Sequence, residues 1–272
     1  MKMKRANGET YSRVKNLVIR QSLHTICTSG NCPNIGECWN HGTATFMILG
    51  NICTRRCKFC SVPTGKPLPV DWLEPARLAE SVRVMGVKHC VITSVDRDDL
   101  EDLGAGLWRA AIMKVREENP ETTMEVLIPD FQGRRELIQL IINEKPEVIS
   151  HNLETVERLS RQIRSKARYH ISLEVLRTIA RSGITTKSGI MLGLGETEEE
   201  VFTTMDDLLD AGVRVMTIGQ YLQPTLEHMP VSAYIHPELF QKYHEIGIGK
   251  GFAVVESSPL VRSSYHAEKH IL

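Results

Sequence analysis

Ala44-Thr-Phe-Met-Ile-Leu49-Gly-Asn-Ile-Cys53-Thr-Arg-Arg-Cys57-Lys-Phe-Cys60 is the stretch on which the reading of this chain turns. Ala44–Leu49 has the apolar, β-branched and aromatic character of a buried strand, and Gly50 ends it. Three cysteines follow at once, so a short loop at the top of this strand carries three thiols. Downstream, short apolar runs keep alternating with longer amphipathic stretches. Strands are expected at His89–Thr93, Met124–Ile128, Val148–His151, Thr186–Leu192 and Val213–Ile218. Helices are expected at Pro75–Met85, Leu100–Glu118, Arg134–Asn143, Leu173–Arg181, Glu198–Ala211 and Pro237–Ile246. Leu78, Val82 and Met85 give the first an apolar stripe, and Thr197 with Glu200 forms a capping box at the start of the fifth.

Six such units predict an α/β fold, a partial TIM-like (β/α)6 barrel with N-terminal and C-terminal extensions. The expected division is 1–43 as a cysteine-bearing extension, 44–250 as the barrel and 251–272 as a second extension, all in one compact domain. The segment before Thr43 is polar with little strand character. After Gly251, Phe252–Val255 reads as one more strand before Arg262-Ser-Ser-Tyr-His266.

At 272 residues and 42% hydrophobic content the chain can bury a sizeable core. Its 33 basic residues balance 33 acidic ones, so no overall field points to nucleic acid or a membrane surface. Met1–Arg20 lacks an apolar signal core and no run of about 18 apolar residues follows, which predicts a cytoplasmic protein. Seven cysteines, six of them between positions 27 and 60, are better read as reduced metal ligands than as disulfides.

The C-x3-C-x2-C spacing of Cys53, Cys57 and Cys60 suits a [4Fe–4S] cluster whose fourth iron lacks a protein ligand and stays open for a substrate. The competing reading, a structural zinc knuckle, wants four ligands in paired arrangements. A second triplet, Cys27-x4-Cys32-x5-Cys38, also lacks a fourth cysteine. Cys90 lies in an apolar strand, where a buried structural thiol is expected.

C-x3-C-x2-C with Phe59 before the last cysteine resembles the radical SAM (S-adenosylmethionine) signature. Further blocks narrow the resemblance to the lipoyl synthase family: the upstream triplet, Asn40–Gly50, Thr93–Leu100, His151-Asn-Leu-Glu154, Ser188–Glu196, Gly219–Pro224 and Arg262–His266. They span nearly the whole chain. The resemblance implies two [4Fe–4S] clusters, with SAM chelated by the open iron of the Cys53/Cys57/Cys60 cluster. It implies an auxiliary cluster on Cys27, Cys32 and Cys38, with Ser264 as fourth ligand, that gives up its own sulfide. A hard alkoxide on soft iron makes a labile corner. The implied reaction inserts two sulfur atoms at C6 and C8 of a protein-bound octanoyl-lysine. The implied partners are an octanoylated lipoyl carrier domain or H protein, an electron donor of ferredoxin or flavodoxin type, and an iron–sulfur carrier that repairs the spent cluster. Rival functions are a biotin-synthase-like sulfurtransferase, a methylthiotransferase, or a non-catalytic metal-binding module that docks on carriers.

Abstracting hydrogen at close range needs fixed handles for SAM. By resemblance these lie at strand ends: Thr93 and Ser94, Asn152 and Glu154, Lys187 and Ser188, and Gln220, Leu222 and Gln223, with Asn152 and Glu154 foremost. Nearby, Asp98 reads as a cap of the Leu100–Glu118 helix or as a ligand, and Asp96 and Asp99 as solvated residues or as ligands. Gly193 and Gly195 fit no Rossmann or P-loop fingerprint. His24, His41, His89 and His228 lack metal spacing and read as structural or surface residues. Arg55, Arg56 and Lys58 read as carrier contacts or solvated charges, with Arg134 and Arg135 weaker candidates.

Overall fold

The computed structural model describes residues 7–272, so the first six positions of the N-terminal extension lie outside the described residues. Two compact units emerge. One comprises residues up to Arg55, Ser61–Pro129 and Gln139–Pro146; the other comprises Arg56–Cys60, Asp130–Ile138 and Glu147–Leu272.

The first unit begins with α1 (Glu9–Arg20), β1 (His24–Thr25), α2 (Ile26–Ser29) and α3 (Ile35–Asn40), then β2 (Thr45–Ile48), α4 (Glu74–Met85), β3 (His89–Ser94), α5 (Ala105–Glu118) and β4 (Thr123–Leu127). β1 pairs antiparallel with β2; β2 with β3 and β3 with β4 are parallel, in registers such as Phe46↔Ile92 and Val91↔Glu125. All four residues of β2 are buried, as a parallel strand covered on both faces requires. Leu78, Ala79 and Val82 of α4 are buried, as are Trp108, Ala111, Ile112 and Val115 of α5. Gly86 stops α4 in the left-handed conformation (φ 63°), the usual C-terminal device.

From Glu9 the N-terminal segment is mostly helical, with only the two-residue β1, in keeping with its little strand character. Val14, Leu17 and Val18 supply the i, i+3, i+4 stripe of α1. The Tyr11 ring lies 5.1 Å from that of Trp39 on α3.

After α6 (Arg135–Asn143), the second unit carries β5 (Val148–Ser150), α7 (Glu157–Ile163), α8 (Tyr169–Ala180), β6 (Thr185–Leu192), α9 (Glu198–Asp210), β7 (Val215–Gln220), α10 (Pro237–Lys250) and β8 (Val254–Ser257). β5 through β8 are parallel neighbours. Their core includes Leu153, Leu176, Ile190, Met205, Ile218 and Phe240. The expected capping box of α9 is present, with Thr197 Oγ1 accepting from Glu200 N–H and the Glu200 carboxylate accepting from Thr197 N–H.

Each strand from β2 to β7 is followed by a helix before the next strand, and within each unit strand order follows chain order. These are the six β/α repeats of a partial TIM-like barrel. Two boundaries move. α5 starts at Ala105 rather than Leu100, because Leu103 and Gly104 take positive φ (53° and 87°) and break any earlier helical path. Asp102, not Asp98, satisfies the first amides, accepting from Gly104 and Gly106 N–H. α8 starts earlier than expected, at Tyr169, whose ring is buried and whose hydroxyl donates to Asp207. Among the described residues no helix is long and apolar enough to cross a membrane.

Candidate active site

In the first unit, Cys27 sits on α2 and Cys38 on α3, with Cys32 in the turn between them. Cys32 N–H donates to Cys27 carbonyl and Cys38 N–H to Asn34 carbonyl, so the short helices fix the spacing of the thiols. Burial, followed by the negative charges of Cys27 and Cys32, pushes the Cys38 thiol up to about 12. Burial also raises Cys27. The three sulfurs are therefore electrostatic neighbours that repel one another when ionised, an arrangement that cationic iron relieves. Among the described residues the buried indole N–H of Trp39 has no close hydrogen-bond acceptor, yet it lies near enough to Cys27 to favour its thiolate. It is a donor suited to a sulfur that turns negative on ligation. Cys90, by contrast, is fully buried in β3, and burial alone raises its thiol to about 12, the structural thiol expected.

Cys53 is held differently. Its N–H donates to Pro63 carbonyl and its sulfur accepts from the backbone N–H groups of Arg55 and Asp96, both at 3.4 Å. Amide donors aimed at sulfur stabilise a thiolate and tune the metal it binds. The loop is clamped onto the segment after β3. Thr54 Oγ1 donates to Asp96 carbonyl and accepts from Asp98 N–H. Arg55 donates through Nε and Nη2 to both Asp98 oxygens, at 2.9 and 2.8 Å, with Nη1 3.3 Å from Asp96. The Arg55 side chain is 4% exposed. Arg55 is thus an internal clamp rather than a carrier contact, and Asp98 is its partner rather than a helix cap. Asp96 completes the same pair, and Asp99 pairs with Arg97. The exposed charges of the loop are Arg56 and Lys58.

In the second unit, Cys60 N–H donates to Cys57 carbonyl. Cys57 Sγ lies 3.7 Å from Ser165 Oγ, which also accepts from Arg56 N–H. Lys58 N–H donates to Ile163 carbonyl and Lys58 carbonyl accepts from Met229 N–H. His228 Nε2 lies 3.0 Å from Cys60 carbonyl, and its Nδ1 is 2.8 Å from Thr225 Oγ1. A histidine read as structural or surface therefore braces a cysteine-bearing turn. Its contact, 168 residues away in sequence, leaves no local signal.

The expected SAM handles fall into two groups. Asn152 donates to Ser263 Oγ at 2.6 Å, while its buried Oδ1 has no partner among the described residues, an acceptor placed for an ammonium or hydroxyl of a ligand. Glu154 holds a left-handed backbone (φ 68°) pinned by Gly189 carbonyl and Met191 N–H. Strain at a non-glycine residue of this kind persists where surrounding structure over-determines it. Its carboxyl is densely enclosed although the residue keeps some exposure. Burial raises its pKa against the opposing charge of Arg164 and a hydrogen bond from Asn152.

The other handles have their polar atoms engaged within the protein. Thr93 donates to Leu127 carbonyl and Ser94 accepts from Trp108 Nε1. Ser188 accepts from Leu153 N–H, and fully buried Lys187 meets His270 Nδ1 at 2.9 Å. Gln220 bonds Leu192, Tyr221 and Ala233 carbonyls and Ile235 N–H. Gln223 donates to His228 carbonyl, and Leu222 is half-buried.

Among the described residues no three His, Cys, Asp or Glu side chains converge tightly enough to hold a single metal ion. A cluster asks for something else. Each cysteine binds a different iron, so ligands stand further apart than around one ion. Soft thiols, thiolates that would repel one another without a cation, and amide or indole donors facing sulfur fit an iron–sulfur cluster.

Residues 47–208 match the radical SAM superfamily model. Solved structures share the fold: Streptococcus suis SuiB bound to S-adenosylmethionine (TM-score 0.63, 11% identity, 83% of this chain and 54% of that one) and methylornithine synthase PylB (TM-score 0.57, 12% identity, 90% and 82%). Curated relatives are closer. A lipoyl synthase of Bacteroides fragilis (strain YCH46) is 64% identical over 97% of this chain and 92% of its own length. One of Treponema denticola (strain ATCC 35405) is 59% identical over 100% and 94%. The six β/α repeats and the cysteine loop inside the first of them, between β2 and α4, define a radical SAM protein. Within that superfamily the chain belongs to the lipoyl synthase family.

Proposed function

We propose that this chain inserts two sulfur atoms at C6 and C8 of a protein-bound octanoyl-lysine, using two [4Fe–4S] clusters and SAM. The observation that carries the reading is the second cysteine triplet, Cys27/Cys32/Cys38, packed as electrostatic neighbours in a chain that also carries the radical SAM loop. A superfamily member needs only the loop; a second set of close-lying thiols, whose thiolates would repel one another without a cation, calls for a second group.

Cys53, Cys57 and Cys60 are the ligands proposed for the SAM-binding cluster, and Cys27, Cys32, Cys38 and Ser264 those for the auxiliary cluster. When bound, the first cluster supplies an electron that cleaves SAM to a 5′-deoxyadenosyl radical, and the second supplies sulfide. The saturated C–H bond offers no acidic proton, so general bases are of no use and the protein's task is placement. The backbone amides of Arg55 and Asp96 steady Cys53 sulfur, and the Arg55–Asp98 pair holds the loop. Asn152 Oδ1 and the Glu154 carboxyl are proposed to orient the amino and hydroxyl groups of SAM. Residues 1–43 and 251–272 are proposed as the extensions that carry the auxiliary-cluster ligands, and 44–250 as the radical SAM repeats.

The carrier is an octanoylated lipoyl domain or H protein, with exposed Arg56 and Lys58 as proposed contacts. Electrons would come from a ferredoxin or flavodoxin, and a cluster carrier would rebuild the spent site. Reduced thiols of this density suit the cytoplasm.

Anaerobic reconstitution with iron and sulfide tests the reading. About eight irons per chain are expected, with 5′-deoxyadenosine and a dithiolated carrier peptide on adding SAM and reductant. Four irons and SAM cleavage without sulfur in the peptide would instead make this a radical enzyme of another kind.

A further inference from the structure

Lys187 and His270 form a fully buried pair that nothing in the proposed chemistry uses. Both are 0% exposed, and Lys187 Nζ lies 2.9 Å from His270 Nδ1. An ammonium removed from water needs firm partners. With Nζ donating, His270 Nδ1 is the acceptor and the ring proton sits on Nε2, which faces Glu256 Oε1 at 4.0 Å. Lys187 lies on β6, whereas His270 ends a short 3-10 turn, Ala267–His270, in the chain after β8.

That stretch of chain is stitched to the strand ends of its own unit at several points. Ser258 N–H donates to Ile218 carbonyl and Gln220 N–H to Pro259 carbonyl. Val261 carbonyl rests directly on Gly219: a Cβ there would lie 2.1 Å from the oxygen, against backbone that cannot swing away. Asn152 donates to Ser263 Oγ at 2.6 Å. Tyr265 N–H closes a turn on Arg262 carbonyl. Ser264 therefore lies between two fixing points, Ser263 on Asn152 and His270 on Lys187. Exposed peripheral segments usually fray unless tied down, and here the ties bracket the short stretch that begins with Ser264.

We propose that Lys187 and His270 are positioning residues that hold Ser264 where it can ligate the auxiliary cluster. The proposal rests on the reading of Ser264 as a ligand. A weak oxygen ligand is the one that gains most from being held, because a misplacement near 1 Å can cost about a hundredfold in rate. Lys187 acts through His270 rather than on SAM.

The test compares His270→Ala, His270→Gln and Ser264→Ala as reconstituted holoenzymes. His270→Ala should keep 5′-deoxyadenosine formation near wild type. Its dithiolated product should fall at least about tenfold, and the Mössbauer signal of the oxygen-ligated iron should broaden or vanish. His270→Gln, which keeps an acceptor for Lys187, should restore both. Wild-type product and an intact oxygen-ligated signal in His270→Ala, with both lost in Ser264→Ala, would overturn the anchor alone. An intact signal in Ser264→Ala would overturn the ligand reading itself. Should His270→Ala not accumulate as folded protein, His270→Asn carries the same test, its shorter amide reaching Lys187 poorly; normal product from it would refute the anchor.

Discussion

The two cysteine triplets look alike in sequence and are built in different ways. Cys27 and Cys38 sit on the short helices α2 and α3, and α3 packs on α1 through the Tyr11–Trp39 contact. There burial raises the Cys27 and Cys38 thiols, and Cys38 also feels the charges of Cys27 and Cys32. Cys53 stands in irregular loop, its sulfur met by two backbone amides and its neighbours locked by the Arg55–Asp96–Asp98 clamp. The first arrangement is a dense nest of ligands that needs cations to be comfortable. The second is a loop held open by charge pairing outside the ligand set. A cluster to be consumed and rebuilt fits the former, and a cluster that must keep one iron accessible fits the latter.

The sharpest way to break this comparison is to remove ligands from each side. Cys53→Ala should abolish 5′-deoxyadenosine formation. Cys32→Ala should preserve it while abolishing sulfur insertion, both read by mass spectrometry of the same reaction. If Cys32→Ala also ended SAM cleavage, the triplets would not be separate in function.

The clamp comes next. Arg55→Met leaves the Asp98 carboxylate, 7% exposed, without its bidentate partner, so stability should drop by about 3–5 kcal/mol in denaturant titration. SAM cleavage should fall roughly a hundredfold as the loop loosens, with the iron content of the N-terminal triplet unaltered. Arg55→Lys should rescue little, since an ammonium cannot reproduce the fork.

A smaller effect is expected from Trp39→Phe, which removes the indole donor beside Cys27 while keeping the ring against Tyr11. The auxiliary cluster's reduction potential should shift and SAM cleavage should stay unchanged. The reverse pattern would place Trp39 with the wrong cluster.

The smallest expected effect lies away from both triplets. Thr197→Ala should cost about 1 kcal/mol of stability with normal product formation. Glu200, held at about 2 chiefly by hydrogen bonding to Arg158, gives a pH test of the same cap. Its folded pKa lies below the ordinary carboxylate value, so its contribution is complete above about 4.5 and is lost as pH falls toward 2. Glu200→Gln should flatten the stability profile in that window and leave it unchanged near neutrality apart from a constant offset.

Much of this was legible in the sequence because it is local. The cysteine spacings, the alternation of β-branched runs with amphipathic stretches, and the Thr197/Glu200 box all lie within single elements. What escaped depends on distant partners. Arg55 sits in a loop rich in basic residues and looked solvated; its partner Asp98 lies 43 positions on. The same pairing took Asp98 from the role of a cap. Lys187 and His270 are 83 residues apart, and neither carries a local mark of burial. The α1 stripe of Val14, Leu17 and Val18 was readable, but its polar setting hid it. The β8 strand begins at Val254 rather than Phe252, whose N–H is taken by Gly247 carbonyl at the end of α10.

The central claim is that this chain provides its own sulfur from a cluster on Cys27, Cys32 and Cys38. Reconstituting the protein with heavy-isotope sulfide, then following an octanoylated carrier peptide by mass spectrometry with SAM and reductant in unlabelled buffer, tests it directly. The account predicts a product in which both inserted sulfurs are heavy, and no product from Cys32→Ala. Light sulfur in the peptide, or SAM cleavage without any sulfur inserted by the fully loaded protein, would contradict it.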